Sequence, residues 1–145
     1  MIALACDHGA YALKEKVKAH LSERGHQVMD FGTNSMDSCD YPDFARLAAQ
    51  AVADGRCERG IVLCTTGIGV SIVANKVWGI RCALCTDPLM AEMTRRHNDA
   101  NMLALGAGIT GDLLSLHIVD TWLDTDYDGG RHQRRVDKIT ALEQE

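Results

Sequence analysis

The feature that most constrains the fold is a regular alternation of short apolar runs with segments of helical periodicity. Between the first two runs, for example, Leu13, Val17 and Leu21 recur at every fourth residue, as on the buried face of a helix. The apolar runs have the length of buried strands and predict strands over residues 2–5, 26–31, 60–64, 80–85 and 102–105. This alternation predicts βαβ units, a parallel sheet and helices on both of its faces. The predicted fold is a Rossmann-like α/β three-layer sandwich with a five-stranded parallel sheet and a C-terminal helical tail.

Local signals set several helix ends. Gly25 and Gly55 are expected to end the first two helices, and Pro42 suits a first helical turn. Thr110 is predicted to be the N-cap of the helix after the fifth strand. The tail, from about residue 132 to 142, has Val136, Ile139 and Leu142 at helical spacing and predicts one more helix.

Length and composition restrict the class of protein. The 145 residues favour one domain, 1–145. A net charge of −5 excludes a general nucleic-acid binder, and no apolar run reaches the roughly 18 residues of a membrane span. The six cysteines lie largely in apolar runs without an export signal, so we expect a reduced, cytoplasmic protein.

The stretch 60–74 carries the strongest functional signal. Its apolar run ends at Cys64, and a glycine-containing turn then leads into a helix. Glycines allow a ligand close to the backbone, and the amides at a helix start suit an anion. A cysteine in this setting favours the thiolate and can act as a base. The alternative is an ordinary strand–helix turn with a buried cysteine.

Two further polar groups stand near strand ends. Asp7 and His8 follow the first strand, at the edge of the sheet where ligands bind in such folds. His97 and Asn98 precede the fifth strand instead. These two residues therefore either reach the same cleft or serve the site of a neighbouring subunit.

Five separated motifs together resemble the type B ribose-5-phosphate isomerases, within the group that also includes allose-6-phosphate and galactose-6-phosphate isomerases. The resemblance covers essentially the whole chain. Its motifs are Cys6-Asp7-His8, Asp40-Tyr41-Pro42, 64–69, 97–101, and Gly129-Gly130-Arg131-His132-Gln133 with Arg135. It implies an aldose–ketose isomerase that acts through an enediolate with no metal and no organic cofactor. It also implies a homodimer or a dimer of dimers with shared active sites, in which the tail from about residue 131 to 145 contacts a neighbouring subunit.

The resemblance also implies a role for each matched residue. Cys64 is the base, His97 is the acid that opens the sugar ring, and Thr66 holds a sugar oxygen or assists ring opening. Arg131 and Arg135, four residues apart on the helical tail, bind the phosphate. The remaining substrate contacts are Asp7, His8, Asn98 and the loop amides of Thr65, Gly67, Ile68 and Gly69.

Two positions depart from the pattern of that group. Relatives often have glycine where this chain has Thr65, and an arginine that contacts phosphate where it has Gly108. Ribose 5-phosphate is therefore the leading substrate, and allose 6-phosphate or another hexose 6-phosphate is the alternative because Gly108 leaves extra room.

The sequence also contains features of two other classes of function. Cys82 and Cys85 form a C-x-x-C pair, but it lies in a predicted strand and has no second pair nearby to complete a zinc site. A non-catalytic sugar-phosphate binding module, or one subunit of a two-chain isomerase, would need the arginines and the loop amides but not a thiolate.

Overall fold

The computed structural model describes residues 1–144 and contains a parallel sheet flanked by helices. The strands are β1 Ile2–Cys6, β2 Val28–Asp30, β3 Arg59–Cys64, β4 Cys82–Leu84 and β5 Met102–Gly106. The helices are α1 Tyr11–Glu23, α2 Tyr41–Ala53, α3 Ile68–Asn75, α4 Pro88–Asn98, α5 Asp112–Asp124 and α6 Arg131–Ala141. Short 3-10 turns precede α1 (His8–Ala10) and follow α6 (Leu142–Gln144). The predicted α/β three-layer fold with a helical tail is confirmed.

The strand order is β2-β1-β3-β5-β4, and every neighbouring pair is parallel. The chain first adds β2 on one side of β1 and then crosses to add β3 on the other side. The crevice between the tips of β1 and β3 is therefore the point where the strand order reverses, and such a crevice is the usual ligand site of open α/β sheets. The register of this pair places Cys6 opposite Leu63.

The sheet separates two cores because successive strand residues point to opposite faces. Leu13, Val17, Ile118 and Trp122 of α1 and α5 cover one face of the sheet. The opposite face, which includes Cys64, is covered by α2 and α3. This second core is unusually rich in alanine, and small side chains allow helices to pack close to the sheet. It contains Ala3, Ala5, Ala45, Ala48, Ala49, Ala51, Ala74 and Ala104.

Three local predictions differ from the structure. The second and fourth strands are shorter than predicted, β2 beginning at Val28 and β4 ending at Leu84. Both lie at the edges of the sheet, where a strand has ladder hydrogen bonds on only one side. Thr110 is not the N-cap of α5; Gly111 occupies that position, and the Thr110 hydroxyl pairs with that of Ser115 at 2.7 Å.

The tail forms a helix, as predicted, but its apolar face is only partly covered within one chain. Val136 is buried against the domain, whereas Ile139 is 45% exposed and Leu142 is 63% exposed. The last residue of the predicted tail segment, 145, lies outside the described residues. Within residues 1–144, none of the helices combines the length and apolarity that a bilayer crossing requires.

Candidate active site

Cys64 lies at the tip of β3 and is 5% exposed. Its sulfur accepts a hydrogen bond from the backbone N–H of Gly67 at a nitrogen–sulfur distance of 3.1 Å. An N–H dipole that points at the sulfur stabilises negative charge there, and the following start of α3 adds a partial positive charge. The sulfur therefore has the hydrogen-bond donor that a base carrying negative charge requires.

The turn after Cys64 has this shape because residue 67 is glycine. Gly67 has a φ of +79°, in the left-handed region, and caps α3. A Cβ atom at this position would lie 2.6 Å from a methyl of Leu84 and 2.8 Å from the carbonyl carbon of Leu105. The Thr66 hydroxyl accepts from the amide of Ile68 at 3.2 Å, which holds the turn in place. The next two amides in the first turn of α3, those of Gly69 and Val70, have no partner within the helix and remain available as donors.

The tip of β1 stands beside this turn, as predicted. The backbone N–H of Asp7 donates to the carbonyl of Leu63 at 3.2 Å, and the Asp7 carboxylate accepts from the amide of Gly9 at 3.0 Å. Nδ1 of His8 accepts from the backbone N–H of Cys39 at 3.2 Å. A neutral His8 ring must then have its proton on Nε2, which makes that nitrogen a donor. Asp7, His8 and Cys64 thus form one group at the carboxyl edge of the sheet.

The other core cysteines are in environments that disfavour a thiolate. Burial raises the pKa of the thiols of Cys6, Cys82 and Cys85 to about 12 in each case. Burial also raises the pKa of the Cys57 thiol. Cys82 lies in β4 and Cys85 directly follows it, rather than at a helix start, so the C-x-x-C pair does not have the geometry of a redox site.

A second group of predicted residues gathers around the end of α4. The rings of His97 and His132 stack with their centroids 4.3 Å apart and an interplanar angle of 13°. Burial, the neighbouring His97 and then Arg131 and Arg135 lower the pKa of His132. Both arginines are exposed near the start of α6, and neither forms an ion pair within residues 1–144. This group combines imidazoles with unpaired guanidinium groups, which suits a phosphorylated ligand.

These two groups lie at opposite edges of the sheet. Asn98 ends α4 beside the start of β4, since its carbonyl accepts from the Arg81 side chain at 2.8 Å. Cys64 lies at the far end of β3, four residues beyond the pair formed by Gly60 and Met102. Four strand residues span about 13 Å. One chain therefore does not bring His97, Arg131 and Arg135 to its own Cys64.

The ring stack is also the one place in the described chain where potential metal ligands gather. Donor atoms of His97, His132 and Asp128 lie within 4.8 Å of one another. An imidazole binds a metal in the plane of its ring, and two rings that face each other share no such point. The Asp128 carboxylate is moreover held by the guanidinium of Arg96 at 3.2 Å. The observed arrangement is that of a stacked pair rather than a set of ligands around a common centre.

Sequence reasoning missed two residues of the site. His132 lies within a motif of the resemblance that implies no role for it, yet its ring stacks on that of His97. Tyr41 also belonged to a motif, and its ring packs so close to Gly69 that a side chain at residue 69 would overlap it. Proximity in space to an already predicted residue is the only signal for either role, and the sequence does not contain it.

Comparison with known proteins agrees with this architecture. A model of the Ribose/Galactose Isomerase family matches residues 2–139. Ribose-5-phosphate isomerase B of Escherichia coli strain K12 is 50% identical over 99% of this chain and 96% of its own length. Among solved structures, ribose-5-phosphate isomerase B of Clostridium thermocellum is 54% identical, with a TM-score of 0.98 over 99% of this chain and 97% of that chain.

A second structure comes from the enzyme of Mycoplasma genitalium with bound ribulose-5-phosphate. It is 41% identical, with a TM-score of 0.96 over 99% of this chain and 96% of that chain. The relatives are named as isomerases of phosphorylated sugars, which confirms the predicted class of enzyme. The chain belongs to the ribose/galactose isomerase family.

Proposed function

We propose that this protein interconverts ribose 5-phosphate and ribulose 5-phosphate without a metal or an organic cofactor. The observation that carries the proposal is the amide of Gly67 directed at the sulfur of Cys64, 3.1 Å away, in the crevice between β1 and β3. The names of the relatives, one of them with bound ribulose-5-phosphate, support the five-carbon substrate.

The chemistry assigns one role to each group. His97 donates a proton to the ring oxygen while the anomeric hydroxyl releases its own proton to solvent, and the cyclic sugar opens to the free aldehyde. The Cys64 thiolate removes the proton from C2, and the electrons move to the carbonyl oxygen to form an enediolate. Loop amides from Thr65 to Gly69, with the Thr66 hydroxyl, stabilise the developing oxyanion. The proton of the C2 hydroxyl passes to the C1 oxygen, and return of the proton from the thiol to C1 then gives the ketose and restores the thiolate.

The phosphate and the remaining hydroxyls need separate contacts. Arg131 and Arg135 share one face of α6 and have no carboxylate partner in the described chain, so they are available for a phosphate. Asp7 and Asn98 offer acceptors to sugar hydroxyls. The Nε2 proton of His8 suits a substrate oxygen, because Nδ1 is already occupied by Cys39.

The complete site requires two copies of the chain. One copy supplies Cys64, the loop, Asp7 and His8, and the other supplies His97, Asn98, Arg131 and Arg135, because one chain holds these groups at opposite edges of its sheet. Exposed apolar side chains on α3 and the tail, Ile68, Ile72, Ile139 and Leu142, support such a contact. We infer a homodimer or a dimer of dimers made of one domain per chain. That the protein is cytoplasmic stays a prediction, and the six free cysteines favour it.

The decisive assay follows ketose formation from ribose 5-phosphate and allose 6-phosphate side by side, with and without EDTA. We expect turnover that is insensitive to EDTA, with ribose 5-phosphate preferred, and a loss of about a thousandfold in Cys64→Ala because the base is gone.

Cys57→Ala is the matched control, since it removes a second buried thiol from the same core as Cys64. It should keep the activity of the parent protein. A Cys64→Ala variant that binds the sugar phosphates and turns them over at the parent rate would exclude Cys64 as the base. A parent protein that binds both sugars and converts neither would indicate a binding module or one subunit of a two-chain isomerase.

A further inference from the structure

We propose that the side chain of Thr65 sets the length of sugar that the site accepts, and that Gly9 and Gly108 form the seat which holds it in place. This inference deepens the proposed function and rests on it. Thr65 directly follows Cys64, so any sugar that presents its C2 proton to the sulfur lies next to this side chain.

The two branches of Thr65 are held by two glycines from neighbouring strand tips. A Cβ atom on Gly9 would lie 2.3 Å from Oγ1 of Thr65, which is an overlap. A Cβ atom on Gly108 would lie 3.1 Å from Cγ2 and 3.1 Å from the carbonyl oxygen of the same residue. Thr65 therefore fits in this orientation because both neighbours lack a side chain, and its β-branched χ1 angle adds stiffness.

The backbone around this glycine seat is hydrogen-bonded on both sides. The amide of Gly108 donates to the carbonyl of Thr65 at 2.8 Å, and that of Ala107 donates to the carbonyl of Cys64 at 2.9 Å. On the other side, the amide of Gly9 donates to the Asp7 carboxylate. Gly9 and Gly108 thus cannot move away from Thr65 without loss of hydrogen bonds. The Thr65 side chain is therefore a fixed part of the pocket lining rather than a mobile one.

The Thr65 side chain has a polar branch, the hydroxyl, and an apolar branch, the methyl. Within residues 1–144 the Thr65 hydroxyl has no hydrogen-bond partner, whereas the neighbouring Thr66 hydroxyl accepts from Ile68. The position where a Gly9 Cβ would stand lies between this hydroxyl and the Asp7 carboxylate, 3.3 Å from Oδ1. The free hydroxyl can therefore bind a sugar hydroxyl together with Asp7, while the methyl takes up the space beside Gly108.

The position of the Thr65 side chain changes the substrate size that is expected from Gly108. The absence of a side chain at residue 108 suggests room for a sixth carbon, but the Thr65 methyl borders that space, 3.1 Å from the point where a side chain at residue 108 would begin. Thr65 consequently acts against a six-carbon sugar phosphate. A single methyl group in a pocket typically changes relative specificity by about tenfold or more.

The test compares Thr65→Ser, which removes only the methyl, with Thr65→Val, which keeps the shape and removes only the hydroxyl. The readout is the ratio of kcat/KM for allose 6-phosphate to that for ribose 5-phosphate. Thr65→Ser should raise this ratio about tenfold. Thr65→Val should leave the ratio unchanged while kcat/KM falls for both sugars. Gly108→Ala, which presses on the Thr65 methyl, should lower the ratio.

A parallel binding measurement separates this inference from the proposed function. Ribitol 5-phosphate and allitol 6-phosphate have no carbonyl and need no base, so their Kd values by calorimetry report pocket size alone. The same tenfold shift in their Kd ratio is expected in Thr65→Ser even if the parent protein isomerises neither sugar, an outcome that would refute only the proposed function. An unchanged ratio in both measurements, with melting temperatures that show folded variants, would overturn the role of Thr65.

Discussion

At the scale of single residues, the surroundings of a side chain decide its chemistry more than its identity does. The chain has six cysteines, and burial raises the pKa of several of them well above the neutral range. Only Cys64 combines a strand tip with an amide directed at its sulfur in the described structure. That amide belongs to Gly67, so the setting of the proposed base depends on a residue without a side chain.

Gly67→Ala tests this dependence. The variant adds a Cβ at a φ of +79° and within 2.6 Å of Leu84, so strain and overlap act together. We expect unfolding in urea to show a loss of about 3 kcal/mol, and turnover to fall because the Gly67 amide moves away from the sulfur.

Gly55→Ala is the control for strain alone, because Gly55 has a φ of +85° with no atom within 4 Å of an added Cβ. The free energy of unfolding of Gly55→Ala should fall by about 1 kcal/mol, and its turnover should be unchanged. Equal losses in the two variants would show that crowding at the turn is not important.

At the scale of elements, a buried ion pair fixes the loop that supports the tip of β1. The Lys14 ammonium in α1 is fully buried and donates to the Asp30 carboxylate at 2.9 Å and to the carbonyl of Thr33 at 2.6 Å. The adjacent Gly32 carbonyl accepts from the amide of Cys6 at 2.8 Å. The pair thereby connects α1, the end of β2 and the strand that leads to Asp7.

Asp30→Asn should destabilise the protein by about 3 kcal/mol, because it leaves a buried ammonium without its counter-ion. Burial would raise the pKa of Asp30, but hydrogen bonds from Lys14, from the amide of Gly32 and from Lys18 outweigh it, so the pKa is lowered in the folded state. The stabilisation is therefore complete above the unfolded pKa of about 3.9 and is lost as pH falls through the lower folded value.

Urea unfolding of parent and variant between neutral and acidic pH measures both effects. The difference between the two proteins should shrink as the solution becomes more acidic. Asp54→Asn is the matched control, since Asp54 pairs with Arg56 on the open surface at 3.0 Å and exposed pairs contribute little. A difference that is constant with pH would mean that Asp30 acts through packing rather than through charge.

Prediction from sequence worked well for the central elements and less well at the edges. The strands β1, β3 and β5 are paired on both sides, and their buried runs are long and easily recognised. The edge strands β2 and β4 are shorter than their apolar runs, because hydrophobicity does not report how many neighbours a strand has. Thr110 failed as an N-cap because its hydroxyl found a partner in Ser115, a contact that a capping pattern does not reveal.

At the scale of the whole molecule, the separation of the two residue groups has a direct consequence. If each site takes Cys64 from one copy and His97 from the other, a mixed dimer of Cys64→Ala and His97→Asn has one site with both residues intact. Random exchange between the two inactive variants should therefore restore about a quarter of the parent activity.

The experiment mixes the variants under conditions that dissociate and reform the oligomer, and then measures ketose formation from ribose 5-phosphate. A mixture of Cys64→Ala with Thr66→Ala is the control, because both changes lie in the same copy's half of the site and their mixed dimer has no intact site. Two results would contradict the proposal that copies share their active sites. One is restored activity in the control mixture alone, and the other is no restored activity in either mixture after subunit exchange has been verified.

The sequence alone determined the class of fold, the residue types of the site and the family, because periodicity, turn residues and motifs are local properties of the chain. Only the tertiary structure decided which of those residues meet. The order β2-β1-β3-β5-β4 brings Asp7 beside Cys64, although they are 57 positions apart in the sequence, and leaves His97 at the other edge of the sheet. The seating of Thr65 between Gly9 and Gly108 likewise depends on three strand tips that meet in space, because distances between remote residues follow from strand order and not from sequence spacing.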